Sequence, residues 1–270
     1  MVNCPDPLDC ATWIEAYERE VVGKLAGNEP IAPGVTLSAR ESVAERDSAR
    51  SYIFDELVKY GLTAQLHNYG TGTNAYAVLP ATTSPSTVVV MGAHFDGIAG
   101  TPAAGDNGTG VALVLAAARY FNGLSERGDT LIFAFFDEEE VGLVGSQAFS
   151  DMLRLDGTVV SAMHNFDLIS YDDDQDGAVE LWSPAPALQT LYENTAADFG
   201  IPVRVVTFGS SDHASFSGDG IDSVGVSEEF VSGDASPYYH TPDDTFDKIN
   251  FTYMLSITRL VFEAVTRSMD

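Results

Sequence analysis

The stretch DTLIFAFFDEEEVGLVGS, Asp129 to Ser146, puts a short apolar run directly before four acids. Leu131 to Phe136 is continuous, β-prone and rich in aromatics, as in a strand buried on both faces of a parallel or mixed sheet. Asp137 to Glu140 follow at once, and Gly142 and Gly145 lead into a helical-looking segment. In an acidic chain a solvated loop is the plain reading of such a run. Its position argues for more, because open α/β sheets bind ligands at the carboxyl ends of their strands. Four carboxylates crowded there repel one another, and a bound cation is a common way to hold them.

Outward from this stretch the same alternation recurs. Residues 11–26 and 39–60 carry apolar residues at helical spacing, the second helix closed by Gly61. Residues 62–69 and 74–79 alternate as strands around the turn Gly70 to Thr73. Thr87 to Ala93 predicts a buried strand ending at His94, and residues 106–121 a helix apolar nearly all round, hence buried. A helix over 143–155, a strand from Val159 to Phe166 ending at Asp167, and a strand from Ala178 to Trp182 come next. The pattern closes with a helix over 186–199, strands Val203–Thr207 and Asp222–Val226, and an amphipathic helix over 248–268. This predicts an α/β fold: a single globular domain, residues 1–270, with a central mixed, mostly parallel β-sheet and helices on both faces.

The 270 residues suit one domain. Forty acids against 13 bases, three of them Lys, give a net charge of −27. Nucleic acid and anionic membranes are therefore excluded as expected partners, and no apolar run approaches the ~20 residues needed to cross a bilayer. The balance suits salt-rich surroundings that screen self-repulsion. Cys4 and Cys10 lack a zinc-site spacing. A small disulfide loop at the N-terminus, within a 1–35 segment that includes the first helix, is the expectation and favours a secreted protein. No signal peptide is visible, so a cytoplasmic chain is the alternative to a mature form written without its leader.

Three strands end in a metal-capable residue. His94-Phe95-Asp96 ends one, Glu139 and Glu140 follow another, and Asp167 ends a third. Asp106 lies in the glycine-rich GDNGTG, where a helix cap is the plainer role, and His240 lies in a loop. Two imidazoles with several carboxylates and no thiolate suit Zn²⁺, with Mn²⁺ or Co²⁺ as substitutes. The ligands suffice for two metals sharing a carboxylate, and the pair Glu139-Glu140 can supply one ligand and one free base.

With HFD (94–96), GDNGTG (105–110), EEVGLVGS (139–146), NFD (165–167), SDHASF (211–216) and YHTPDDT (239–245) in order, the chain resembles the di-zinc aminopeptidase family that includes the small secreted bacterial leucyl aminopeptidases (peptidase family M, number twenty-eight). The resemblance implies that Asp106 bridges two zinc ions, one also held by His94 and Asp167, the other by Glu140 and His240. It makes Glu139 the general base and has Asp96 orient His94. It implies a cis peptide at Asp106-Asn107, and Tyr239 as the donor to the oxyanion. Another branch of the family places a Tyr where Phe208 stands and an Arg where Ser210 stands; the missing hydroxyl at Phe208 favours Tyr239 as the donor, and Phe208 and Ser210 are expected at the substrate pocket. His213 is expected to line that pocket or to make structural hydrogen bonds. His67 and His164 read as structural or surface residues.

Asp172, Asp174 and Asp176 before Gly177 look like the start of a Ca²⁺ loop, but position twelve is Ser183 rather than Glu; calcium and a solvated turn both stand. The expected activity is that of a monomeric aminopeptidase acting on peptides with a free N-terminus. A glutaminyl cyclase or a carboxypeptidase on the same scaffold is the alternative. A binding module that kept the fold without the chemistry is disfavoured by the intact ligand set.

Overall fold

A computed structural model describes residues 11–83 and 87–269. Helices α1 (Ala11–Leu25) and α2 (Val43–Lys59) precede strands β1 (Ala64–Asn68) and β2 (Thr73–Leu79). Strand β3 (Val88–His94) leads through a π-helical turn, Ala104–Gly108, into α3 (Thr109–Asn122). Then come β4 (Thr130–Phe136), α4 (Val144–Leu155), β5 (Val160–Phe166), β6 (Val179–Trp182) and α5 (Pro186–Phe199). The chain continues with β7 (Val203–Val206), α6 (His213–Gly218), β8 (Ser223–Ser227) and α7 (Phe251–Ser268).

The strands form one mixed sheet in the order β1-β2-β4-β3-β5-β8-β6-β7. Strands β4, β3, β5 and β8 run parallel, while β2 on β4, β1 on β2 and β6 on β8 are antiparallel. The chain leaves β3 for β4 on one side and then crosses to β5 on the other. That reversal makes the carboxyl ends of β3, β4 and β5 a topological switch point, where open α/β sheets form their crevice. His94, Asp137 and Asp167 sit at those three ends.

Side chains alternate between two faces, as the period of a strand requires. Val89, Met91, Leu131, Phe133 and Phe135 join the larger core with α1, α2, α3, α5 and α7. Val90, Ile132, Ala134 and Phe136 join a smaller one under α4 and α6 with Phe149, Leu153 and Phe216. Helix α3 is buried along nearly its whole length, in keeping with its all-apolar sequence.

Among the departures from expectation are two helix starts and one helix that was not expected. The buried helix starts at Thr109 rather than at 106, because Asp106 (φ −110°, ψ 89°) and Asn107 (φ −133°, ψ 47°) are not helical. The peptide between them is cis, as the resemblance implies. Helix α2 starts at Val43 with Ser42 accepting from the Glu45 N–H, so Arg40 stays in the preceding segment. Helix α6, of six residues, is too short to leave a periodic signal. Cys4 and Cys10 lie outside the described residues.

Candidate active site

Five of the proposed ligands meet above the switch point. His94 Nε2 lies 3.2 Å from Asp106 Oδ1 and 3.5 Å from Asp167 Oδ1. His240 Nε2 lies 2.9 Å from Asp106 Oδ2 and 3.3 Å from Glu140 Oε2. Asp106 thus turns one oxygen to each histidine, and these contacts define two triads, although donor atoms of His94, Asp106 and Glu140 also lie within 4.8 Å of one another. Donors on a tetrahedral zinc at 2.0–2.2 Å stand about 3.4 Å apart, close to the spacings seen here. Glu140 Oε1 and Asp167 Oδ1 are buried without a hydrogen-bond donor, as oxygens reserved for a cation are. An oxygen of Glu139 comes within 4.8 Å of donor atoms of His94 and Asp167, beside the first triad.

Around the triads lies a set of supports. Asp96 faces His94 Nδ1 at 3.3 Å, and its two oxygens also accept the N–H groups of Glu139 and Glu140, each at 3.1 Å. Ser211 donates to Asp167 Oδ2 at 2.7 Å and accepts from Asn165 Nδ2 at 2.7 Å. Asp244 accepts from the N–H groups of Gly105 (2.7 Å) and Asp106 (3.1 Å), and its carbonyl oxygen accepts from Ala104. The four-acid loop is pinned through Asp137, whose carboxylate pairs with Arg46 at 2.7 Å and Arg50 at 3.7 Å, both on α2. A side chain at position 110 would collide with the Phe166 carbonyl oxygen, so only glycine lets α3 start this close to the end of β5.

Ser211, Asp244 and Asp137 received no role from the sequence, although all three fall in quoted motifs or beside them. Their partners are backbone groups or side chains more than 40 positions away, which spacing does not reveal.

Burial opposes charge on His240, but hydrogen bonds and attraction from Asp106 and Glu140 outweigh it and raise its pKa to about 9. His94 is likewise raised well above its ordinary value, burial being overcome by Glu139, Asp167 and Asp106. Asp106 moves the other way: hydrogen bonds from both histidines overcome burial and hold it well below the usual carboxylate range. Glu139 is pushed up to about 10, chiefly by burial, with His94 opposing and Asp212, Asp167 and Asp106 adding to the rise. A cluster that draws positive charge this strongly fits divalent cations, which would also bring Glu139 back towards a useful base.

Trp182, Phe208, Phe230 and Tyr239 wall the cavity in front of these ligands. Trp182 packs on Phe208 at 4.4 Å, Phe230 on Tyr239 at 4.9 Å, and Tyr239 stacks on the His240 ring at 3.7 Å. Glu180, buried, accepts from Trp182 Nε1 and the Val231 N–H, fixing two parts of this wall. Phe208 and Ser210 line the cavity as expected. His213 does not: it is buried, and its Nε2 donates to the Phe208 carbonyl oxygen at 2.9 Å. This bond, the structural alternative expected for His213, holds the loop that presents Phe208 and Ser210.

His164 is buried against the Tyr192 hydroxyl at 2.9 Å, and burial drops its pKa to about 4; it is a core residue. His67 packs against Phe149 and Tyr69. The carboxylates of Asp172, Asp174 and Asp176 converge to within 4.8 Å. They also accept the N–H groups of Gly177, Asp176 and Ala178, and Asp176 pairs with Arg204 at 3.0 Å. The turn meets its polar demand from its own backbone and one guanidinium.

Among proteins of known sequence the chain is similar to aminopeptidase YwaD of Bacillus subtilis (strain 168), at 31% identity over 195 residues, 67% of this chain and 42% of that one. The chain spans about half the length of the curated relatives it matches. Among solved structures its fold matches the LapA aminopeptidase of Legionella pneumophila with a TM-score of 0.83 at 22% identity, over 97% of this chain and 73% of that one. It matches a zinc aminopeptidase of Bacillus subtilis with a TM-score of 0.68 at 24% identity, over 74% and 50%. A glutaminyl cyclase of Porphyromonas gingivalis gives 0.75 at 17% identity, over 94% and 98%. Residues 74–265 match the family model described as Peptidase family M28, and the chain belongs to that family.

Proposed function

We propose that this chain is a metal-dependent aminopeptidase that removes the N-terminal residue of peptides at a two-zinc site. The observation that carries this reading is the placement of Asp106, whose Oδ1 faces His94 and Oδ2 faces His240. Asp167 completes one triad and Glu140 the other. Zinc held there would lower the pKa of an attacking water and polarise the scissile carbonyl. Glu139 would act as the base that accepts a proton from the attacking water and returns it to the leaving amine as the C–N bond breaks. Tyr239, standing against His240 at the cavity wall, donates to the developing oxyanion. The substrate's free ammonium is drawn to the carboxylates, and its side chain lies against Trp182, Phe208 and Phe230.

A glutaminyl cyclase with one zinc shares the scaffold but has no use for a second complete triad. The secreted location rests on Cys4 and Cys10 alone; among the described residues no helix is long and apolar enough to cross a membrane.

The test is a panel of free and N-acetylated aminoacyl anilides assayed with and without a chelator. Release of aniline only from free amines, abolished by the chelator and restored by zinc, is expected. Equal cleavage of acetylated substrates, or cyclisation of N-terminal glutamine without peptide cleavage, would overturn the reading.

A further inference from the structure

We propose that Arg40 is a positioning residue of the metal cluster, fixing the segment that carries His94 and Asp96 against the turn that carries Asp106. The inference rests on the two-zinc reading above. Arg40 lies outside the acid-rich motifs and has no carboxylate oxygen within ion-pairing distance among the described residues. Its side chain is wholly buried all the same. The guanidinium spends its donors on main-chain carbonyls. Nε donates to Phe95 O (2.6 Å), Nη2 to Ala103 O (2.8 Å), and Nη1 to Leu25 O (3.0 Å) and Pro102 O (3.2 Å). The Gly97 N–H closes on the Arg40 carbonyl oxygen at 3.1 Å, so main chain and side chain grip the same segment.

These acceptors are placed where geometry matters most. Phe95 sits between His94 and Asp96, and the latter also holds the N–H groups of Glu139 and Glu140. Ala103, in the left-handed region at φ 57°, opens the turn that delivers Asp106. One planar fork thus sets the distance from the first imidazole to the shared carboxylate, while Leu25 ties both to the end of α1. A lysine could keep the charge but could not span four acceptors in a plane.

A buried guanidinium held only by carbonyls costs desolvation that a neutral donor would avoid. Here that cost has an offset, because the carboxylates of Asp244, Asp106, Asp96 and Glu140 supply the field that favours the cation. The same charge lowers the repulsion among them before cations arrive. Arg127 provides the contrast. It also braces main-chain carbonyls, those of Pro80, Phe121 and Leu124, but away from the cluster.

The experiment compares full-length wild type with Arg40→Lys, Arg40→Met and Arg127→Met. Zinc affinity is read by competition against a chromophoric chelator, and melting of the zinc-free protein is read by circular dichroism. Supports of metal ligands are worth about 10- to 100-fold in affinity, and a loss of that size is expected in Arg40→Lys, larger in Arg40→Met. Arg127→Met is expected to lower the melting temperature while leaving zinc affinity within about two-fold, since it is remote from the cluster.

Wild-type zinc affinity in Arg40→Lys, or an equal loss in Arg127→Met, overturns the proposal. So does failure of both Arg40 variants to melt cooperatively, which would make Arg40 a requirement of the whole fold. If wild type itself binds no zinc, the two-zinc reading fails first, and that appears before any variant is compared.

Discussion

His240 Nε2 stands 2.9 Å from Oδ2 of Asp106, joining a loop before the last helix to a turn more than 130 residues earlier in the chain. The carboxylate reaches both imidazoles, so its loss should be felt at both triads together. Asp106→Asn keeps the shape but halves the acceptor capacity. Metal analysis after dialysis should give fewer than half the zinc ions of wild type, with activity down by at least about 10³-fold. Retention of both ions would remove Asp106 from the shared position.

Glu139 is the acid that neither histidine contacts directly. Glu139→Gln should keep the wild-type zinc content and lower kcat by about 10²- to 10⁴-fold, the range for a lost general base, with little change in KM. Loss of zinc in this variant would instead make Glu139 a ligand.

Tyr239 contributes a hydroxyl that a phenylalanine can remove without disturbing the stack on His240. Tyr239→Phe should lower kcat by about 10²- to 10³-fold, the scale of one oxyanion donor, and leave the melting temperature within a degree or so. An unchanged kcat would leave Tyr239 only a packing role.

A buried acid outside the ligand cluster sets a pH dependence of stability. Glu18 on α1 is fully buried, accepts from Thr258 on α7, and burial raises its pKa from 4.5 to about 8. The folded chain therefore holds this proton more tightly than the unfolded one. Stability falls as pH rises from about 4.5, and the loss levels off only above the folded-state value of about 8. Glu18→Gln should be more stable than wild type at pH 8, on the order of a few kcal/mol, with the gain vanishing near pH 4. Melting curves at the two pH values test the sign.

A net charge of −27 should make the fold salt-dependent. Raising KCl from low concentration to about 1 M shortens the screening length to ~3 Å and should raise the melting temperature. A falling melting temperature over that range would contradict a self-repelling surface.

The layers and the convergence of the proposed ligands were legible for a shared reason. Buried parallel strands have unbroken apolar sequences, and the residue that ends such a run lies at the sheet's carboxyl edge. His94 and Asp167 announce themselves in this way, and Glu139 and Glu140 do so just past Phe136. Arg40, Asp244 and Ser211 do not, because they act on backbone groups and side chains from distant segments, and a lone polar residue carries no sign of which carbonyl it will meet. For His213 the motif allowed a pocket place or a structural one, and its ring turns inward to brace the loop whose outer residues line the cavity. The bounds of α3 were misjudged because a cap-like Asp in a glycine-rich run fits a helix start as well as it fits the turn that precedes one.

The ion pairs from Arg46 and Arg50 to Asp137 carry a practical lesson for anyone trimming this protein. A fragment begun at β2 would still contain every ligand named above, yet it would strip the two cations off a carboxyl group lodged inside the molecule. Such an unmatched anion is destabilising by about 3–5 kcal/mol, and it sits two residues before Glu139. Residues 11–60 are therefore scaffolding for the cluster, and their removal should produce an inactive chain even though no donor atom has been deleted.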